Sequence, residues 1–282
     1  MRNWRKWLNA FLVVVLIILF IAIVIEFCKM MSIQKRRVEE ANNKPEYIEQ
    51  EGENEISSES EDGRDSFNDV KDNLLLDYNP ISVEDFPAFS GKPYVEIDGG
   101  MPDFSDDDLN TQSFEHYSQL DYLGRCGVAT ANISMDMMPT EPRGNIGHIK
   151  PSGWHTVKYP ELISDRYLYN RCHLIAYSLC GENDNEQNLI TGTRYMNTQG
   201  MLRFENDVLN YIEHTNNHVL YRVTPYFIEK ELVARGVQIE AFSVEDNGKG
   251  ICINVYVYNV QPGICIDYAT GDSWIEEEKS RE

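Results

Sequence analysis

The chain has 282 residues, room for one or two domains, and a net charge of −21 from 25 basic and 46 acidic residues. The acidic excess is local: residues 38–85 hold 16 acidic against 3 basic residues, which is −13 of the total. Such a run excludes a single globule of even composition over the whole length. It does not exclude an anionic ligand for the remainder, because a solvated acidic segment acts separately from a folded one.

Residues 1–7 form a short basic flank carrying Arg2, Arg5 and Lys6. Residues 8–27 are predicted as a transmembrane anchor. Leu8 to Ile25 is uncharged with Asn9 as its one polar residue, and about 18 residues of helix span roughly 27 Å. Trp4 and Trp7 stand at its entry, and no small-x-small cleavage site follows it. Basic residues flank both ends of the span, so charge leaves its orientation nearly balanced. Residues 28–90 are predicted as a disordered acidic linker, too poor in large apolar side chains to offset the entropy of ordering.

A folded domain is expected over residues 91–282. Tyr94 to Asp98 reads as a short strand ending at Gly99-Gly100, and residues 106–119 as a loop with a short helix. A strand is expected within 120–134, loops at Pro139, Pro142, Gly144 and Gly147, and a turn at Pro151-Ser-Gly153. Tyr167 to Ile175 reads as a strand. Met201, Phe204, Val208, Tyr211 and Ile212 mark one buried face of a helix over 196–214. Strands follow over 219–228, 237–244 and 251–260, the last two joined through Asp246-Asn247-Gly248. The fold class is α+β with a central antiparallel sheet. None of the six cysteines lies in a Cys-x-x-Cys pair, which removes the usual zinc and thioredoxin spacings and leaves buried thiols or a disulfide.

Residues 169–205 concentrate the chemistry. His173 is a candidate general base, since imidazole accepts a proton near neutrality. Arg171 lies two residues before it and shares its strand face. Asn197 and Glu205, eight residues apart on the helix, offer an amide oxygen and a carboxylate, hard donors suited to Mg2+, Mn2+ or Ca2+. A base, a cation and oxygen donors are what phosphodiester hydrolysis with one hard metal ion requires. Each residue also has a plain structural alternative, and spacing alone does not choose. Arg143, Lys150, Lys158, Arg194 and Arg203 are further candidates for phosphate contacts.

The run Asn170-Arg171-Cys172-His173, followed by Gln187-Asn188-Leu189-Ile190-Thr191, then Asn197 and Glu205, resembles the sugar-non-specific DNA/RNA endonucleases of the ββα-metal (His-Me finger) superfamily. The likeness extends over roughly Pro93 to Trp274 and includes Pro151-Ser-Gly-Trp-His155 and Asn259-Val-Gln-Pro-Gly263. It implies a ββα-metal fold and a metal-dependent nuclease of low sequence preference, cutting DNA and RNA to leave 5′ phosphates. It further implies His173 as general base and Asn197 as the ligand of one Mg2+, with Mn2+ a possible substitute. Glu205 would act on the ion through water, Asn188 would position the His or the phosphate, and Arg171 would clamp the phosphate. Arg194, Arg203, Lys150 and His155 are the candidate substrate-binding residues. The family's Asp and Gly are Asn170 and Cys172 here, which motivates a rival expectation, a catalytically inactive surface nucleic-acid-binding or receptor module. Since a non-specific nuclease would attack its own cell's nucleic acids, the catalytic domain is expected outside the cell, on a single-pass anchor at residues 8–27.

Overall fold

Between positions 219 and 258 the chain is rich in Val, Ile, Tyr and Phe, residues that fit a pleated, half-buried surface. In the computed structural model, which describes residues 82–276, these runs become long neighbouring strands. In chain order the strands are β1 (Tyr94–Glu96), β2 (Phe114–Tyr117), β3 (Ala129–Ile133), β4 (Tyr169–His173), β5 (Leu189–Thr193), β6 (Val219–Tyr226), β7 (Gly236–Ser243), β8 (Cys252–Tyr258), β9 (Ile264–Ile266) and β10 (Ser273–Ile275). Six of them form one antiparallel sheet in the order β1-β8-β7-β6-β3-β2. The strands β4 and β5 pair separately, His173 opposite Leu189 and Arg171 opposite Thr191. A one-turn helix, α1 (Tyr177–Cys180), lies between them, and a longer one, α2 (Leu202–Thr215), follows β5.

One face of the six-stranded sheet packs on the β4–β5 hairpin and α2. The core between them includes Tyr221, Ile239, Val257, Met196, Val208 and Ile212. Asn259 joins the two sheets: its side chain accepts from Thr193 N at 2.8 Å and donates to Thr191 O and Ala234 O. The other face is more polar. There Arg222 and Glu240 form a buried ion pair at 2.7 Å, and residues 101–112 lie over it through backbone bonds to Arg222, Glu240, Asn132 and Asn254.

Several expectations are corrected. Residues 114–117 are a strand, because they complete the sheet edge against β3, where a short helix was expected. The strand β5 and the β9–β10 pair were not anticipated. All five described cysteines are free thiols. The expected membrane anchor is one of these corrections. Among the described residues no helix is long and apolar enough to cross a membrane. The longest, α2, has 14 residues, roughly 21 Å, and carries charged residues along one side. Residues 8–27, and the linker as far as residue 81, lie outside the described residues. The transmembrane helix, the single-pass topology, the membrane as a partner and the extracellular placement are therefore dropped.

Candidate nuclease site

The hairpin and the helix after it converge on a cleft of about 920 Å³. Its lining includes Arg143, Arg171, His173, Arg194, Asn197 and Glu205. Two features bring Asn197 and Glu205 into it. The turns preceding α2, Met196–Met201, are wound as a π-helix, a form that recurs at functional sites. Its start is held where Thr193 Oγ1 accepts from Met196 N at 3.0 Å. Among the described residues neither the Asn197 amide nor the Glu205 carboxylate enters a side-chain hydrogen bond or ion pair. Burial pushes the Glu205 carboxyl up to about 7, against the opposing charge of Arg143.

His173 is buried at the end of β4, and both its ring nitrogens are engaged. Nε2 lies 2.9 Å from Asn183 O, and Nδ1 lies 3.1 Å from Arg143 Nη2. A carbonyl only accepts and a guanidinium only donates. Nε2 therefore carries the proton and Nδ1 presents its lone pair. Burial holds the imidazole down at about 4, with the Asn183 bond opposing and Arg143 adding to the shift, so the neutral ring is the resting form. Asn188, fully buried, clamps the chain just past the histidine. Its Oδ1 accepts from Ile175 N at 2.9 Å and its Nδ2 donates to Ile175 O at 3.0 Å. It thus supports His173 through the backbone and does not line the cleft.

Arg171 lines the cleft with two of its five guanidinium N–H groups committed. It stacks on Trp154, 4.0 Å from guanidinium carbon to ring centroid, and donates to Gly147 O and Ile149 O. It holds the loop that carries Arg143. Two more ties fix that loop: Tyr177 Oη donates to Glu141 O, and Gly144 packs so closely on Asn183 that a Cβ would stand 2.7 Å from its amide nitrogen. Gly153, at φ +65°, lets the turn before Trp154 pass Val233, which a Cβ would approach to 2.4 Å.

The remaining candidates divide. Arg194 lines the cleft, paired to Asp165 at 2.8 Å. Arg203 does not; it stacks on Tyr94 and Phe204 and donates to Tyr94 Oη at 2.6 Å. It lies two positions from Glu205, and helix side chains at i and i+2 face apart. His155 bonds the turn near the carboxy terminus at Thr270 O, 3.1 Å away, and Lys150 is exposed; neither lines the cleft. Cys172 points away from the cleft, and burial pushes its thiol well up. Its side chain fills the space over Gly192, where a Cβ would meet the sulfur at 2.4 Å. Arg143, whose guanidinium touches His173, is only one of several candidate phosphate contacts in the sequence. Thirty residues separate the two, so no local pattern announces their meeting.

The donor chemistry fits a hard divalent ion. Among the described residues no group of three or more His, Cys, Asp or Glu gathers as a metal site, so such an ion would rest on the Asn197 amide and water, with the Glu205 carboxylate reached through water, as Mg2+ accepts.

The family model for DNA/RNA non-specific endonuclease matches residues 105–245, half of the chain. Among solved structures, NucA from Streptococcus agalactiae without metal is similar at 24% identity and a TM-score of 0.60, over 76% of this chain and 97% of that one. The same protein with a magnesium ion bound matches at 24% identity and a TM-score of 0.58, over the same shares. At that identity the likeness shows a common fold.

Proposed function

The protein belongs to the family of DNA/RNA non-specific endonucleases, and from that premise we propose that it hydrolyses phosphodiester bonds of DNA and RNA with His173 as general base and one divalent cation at Asn197 and Glu205. The observation that carries the proposal is the state of His173. Its Nε2–H is fixed on Asn183 O, so the lone pair lies on Nδ1, facing Arg143, and both residues line the cleft together with Asn197 and Glu205. Mg2+ is the expected ion and Mn2+ a substitute, in keeping with the magnesium bound in the NucA relative.

In the resting site Arg143 covers the His173 lone pair. A phosphate oxygen is a stronger acceptor for a guanidinium than a neutral imidazole is. An arriving phosphodiester would therefore draw Arg143 to itself and uncover Nδ1. His173 then takes a proton from the attacking water, whose oxygen forms the new bond to phosphorus. The P–O3′ bond breaks and the departing oxygen takes a proton from solvent water, giving a 5′ phosphate and a 3′ hydroxyl, while His173 returns its proton to solvent. Arg143, and the N–H groups of Arg171 not engaged by Gly147 and Ile149, offset the negative charge that develops. When bound, the cation supplies further positive charge at the phosphate and the departing oxygen. Contacts made to phosphate carry no base code, which accounts for low sequence preference.

The test is incubation of the purified protein with supercoiled plasmid DNA, and separately with RNA, in Mg2+, in Mn2+ and in EDTA. Cleavage with either metal and none in EDTA is expected. Binding without cleavage under every condition would favour the inactive binding module.

A further inference from the structure

The lining of the cleft extends from the reacting groups to the segment that precedes β4. Tyr167 lines the same cavity as Arg171 and His173. Six residues of extended chain place it at most about 20 Å from His173. It is 43% exposed. A short antiparallel bridge holds it opposite Lys158, whose Nζ stands 4.7 Å from the ring centroid. Leu168 N bonds Val157 O and Tyr159 N bonds Arg166 O, so the pair sits on a hairpin fixed at both ends. The ammonium stands over the ring, and the residue's exposure leaves part of the ring open to solvent.

We propose that Tyr167 and Lys158 form a nucleobase subsite at the far end of the cleft. Tyr167 stacks a base several nucleotides from the scissile phosphate, and Lys158 pairs with the backbone phosphate beside it. The proposal rests on the nuclease reading for the direction of the strand through the cleft. Every base has a π-face, so the subsite adds affinity without sequence choice. A paired base inside a duplex offers no free face. The subsite therefore favours single-stranded DNA or RNA, or frayed ends, over closed duplex.

Binding without turnover tests it, using the full chain in EDTA and fluorescent single-stranded oligonucleotides of two to twelve nucleotides. Affinity should rise by roughly tenfold as the strand becomes long enough to reach Tyr167, the size of one base–aromatic stack. In Tyr167→Ala that step should vanish, and in Tyr167→Phe it should remain. In Lys158→Gln the salt dependence should weaken by about 0.7 in log–log slope, one phosphate contact on a single strand. The same step in Tyr167→Ala, or no step in the parent, overturns the proposal. Plasmid cleavage by the parent separates the two readings. Cleavage with an unchanged step sinks the subsite alone. A Tyr167-dependent step without cleavage keeps the subsite on a protein that does not cut, and neither binding nor cleavage overturns both.

Discussion

Replacing Asn188 by Ala should damage both the stability and the activity of this protein, although Asn188 does not line the cleft. Its amide makes two hydrogen bonds to the backbone of Ile175, and both residues are fully buried. Alanine would leave the Ile175 N–H and C=O without partners where water does not reach. Each of the two orphaned groups costs about 1–3 kcal/mol, so the loss should be about 2–6 kcal/mol. That is a large share of the roughly 5–15 kcal/mol that holds an ordinary domain together. Ile175 lies two residues past His173, so relaxation there shifts the base, and a displacement of about 1 Å can cost about a hundredfold in rate. Asn188→Asp keeps an acceptor for Ile175 N and sets its second oxygen against Ile175 O, so its loss should be intermediate. Urea unfolding of the three proteins gives the stabilities, and plasmid cleavage the rates. An Asn188→Ala protein within about 0.5 kcal/mol of the parent would refute the clamp.

Opposed titrations should shape the pH dependence of stability without metal. His173 falls from an ordinary 6.5 to about 4, so between those values the unfolded chain binds the extra proton and stability is lost as pH falls. Glu205 rises from 4.5 to about 7, so there the folded protein binds the extra proton and stability is lost as pH rises. The slopes, each up to about 1.4 kcal/mol per pH unit, nearly cancel between pH 4.5 and 6.5. Glu205→Gln should uncover the rising slope in urea unfolding with EDTA, and an unchanged profile would contradict the assignment. Glu240→Ala removes the carboxylate paired with the buried Arg222 and should cost about 3–5 kcal/mol, read as a lowered urea midpoint. Arg203→Ala should leave plasmid cleavage within about twofold of the parent and lower the melting temperature slightly, since it removes a stack on Tyr94 and Phe204.

Strong periodicity made much of this architecture legible. The apolar positions from Met201 to Ile212 marked a helix, and Phe204, Val208 and Ile212 are its buried face. The long strands β6, β7 and β8 fall within a few residues of their expected places. Short strands were less legible. Leu-Ile-Thr-Gly-Thr in β5 carries a glycine because Cys172 crosses over it, a need that arises only once the hairpin has formed. Within the site, the spacing of Asn197 and Glu205 pointed to one cleft, and both line it. Arg203, a candidate phosphate contact in the sequence, stacks on Tyr94 and Phe204 and is not among the residues lining the cleft. Arg143 reaches His173 because three separate ties fold its loop back, and none of them is visible in a linear reading.

His173→Ala in the plasmid assay with Mg2+ tests the central claim most directly. Loss of the base should lower cleavage by about 10²–10⁴-fold while the protein still folds and still binds an oligonucleotide in EDTA. Cleavage by His173→Ala within about tenfold of the parent would contradict the assignment of His173 as the base.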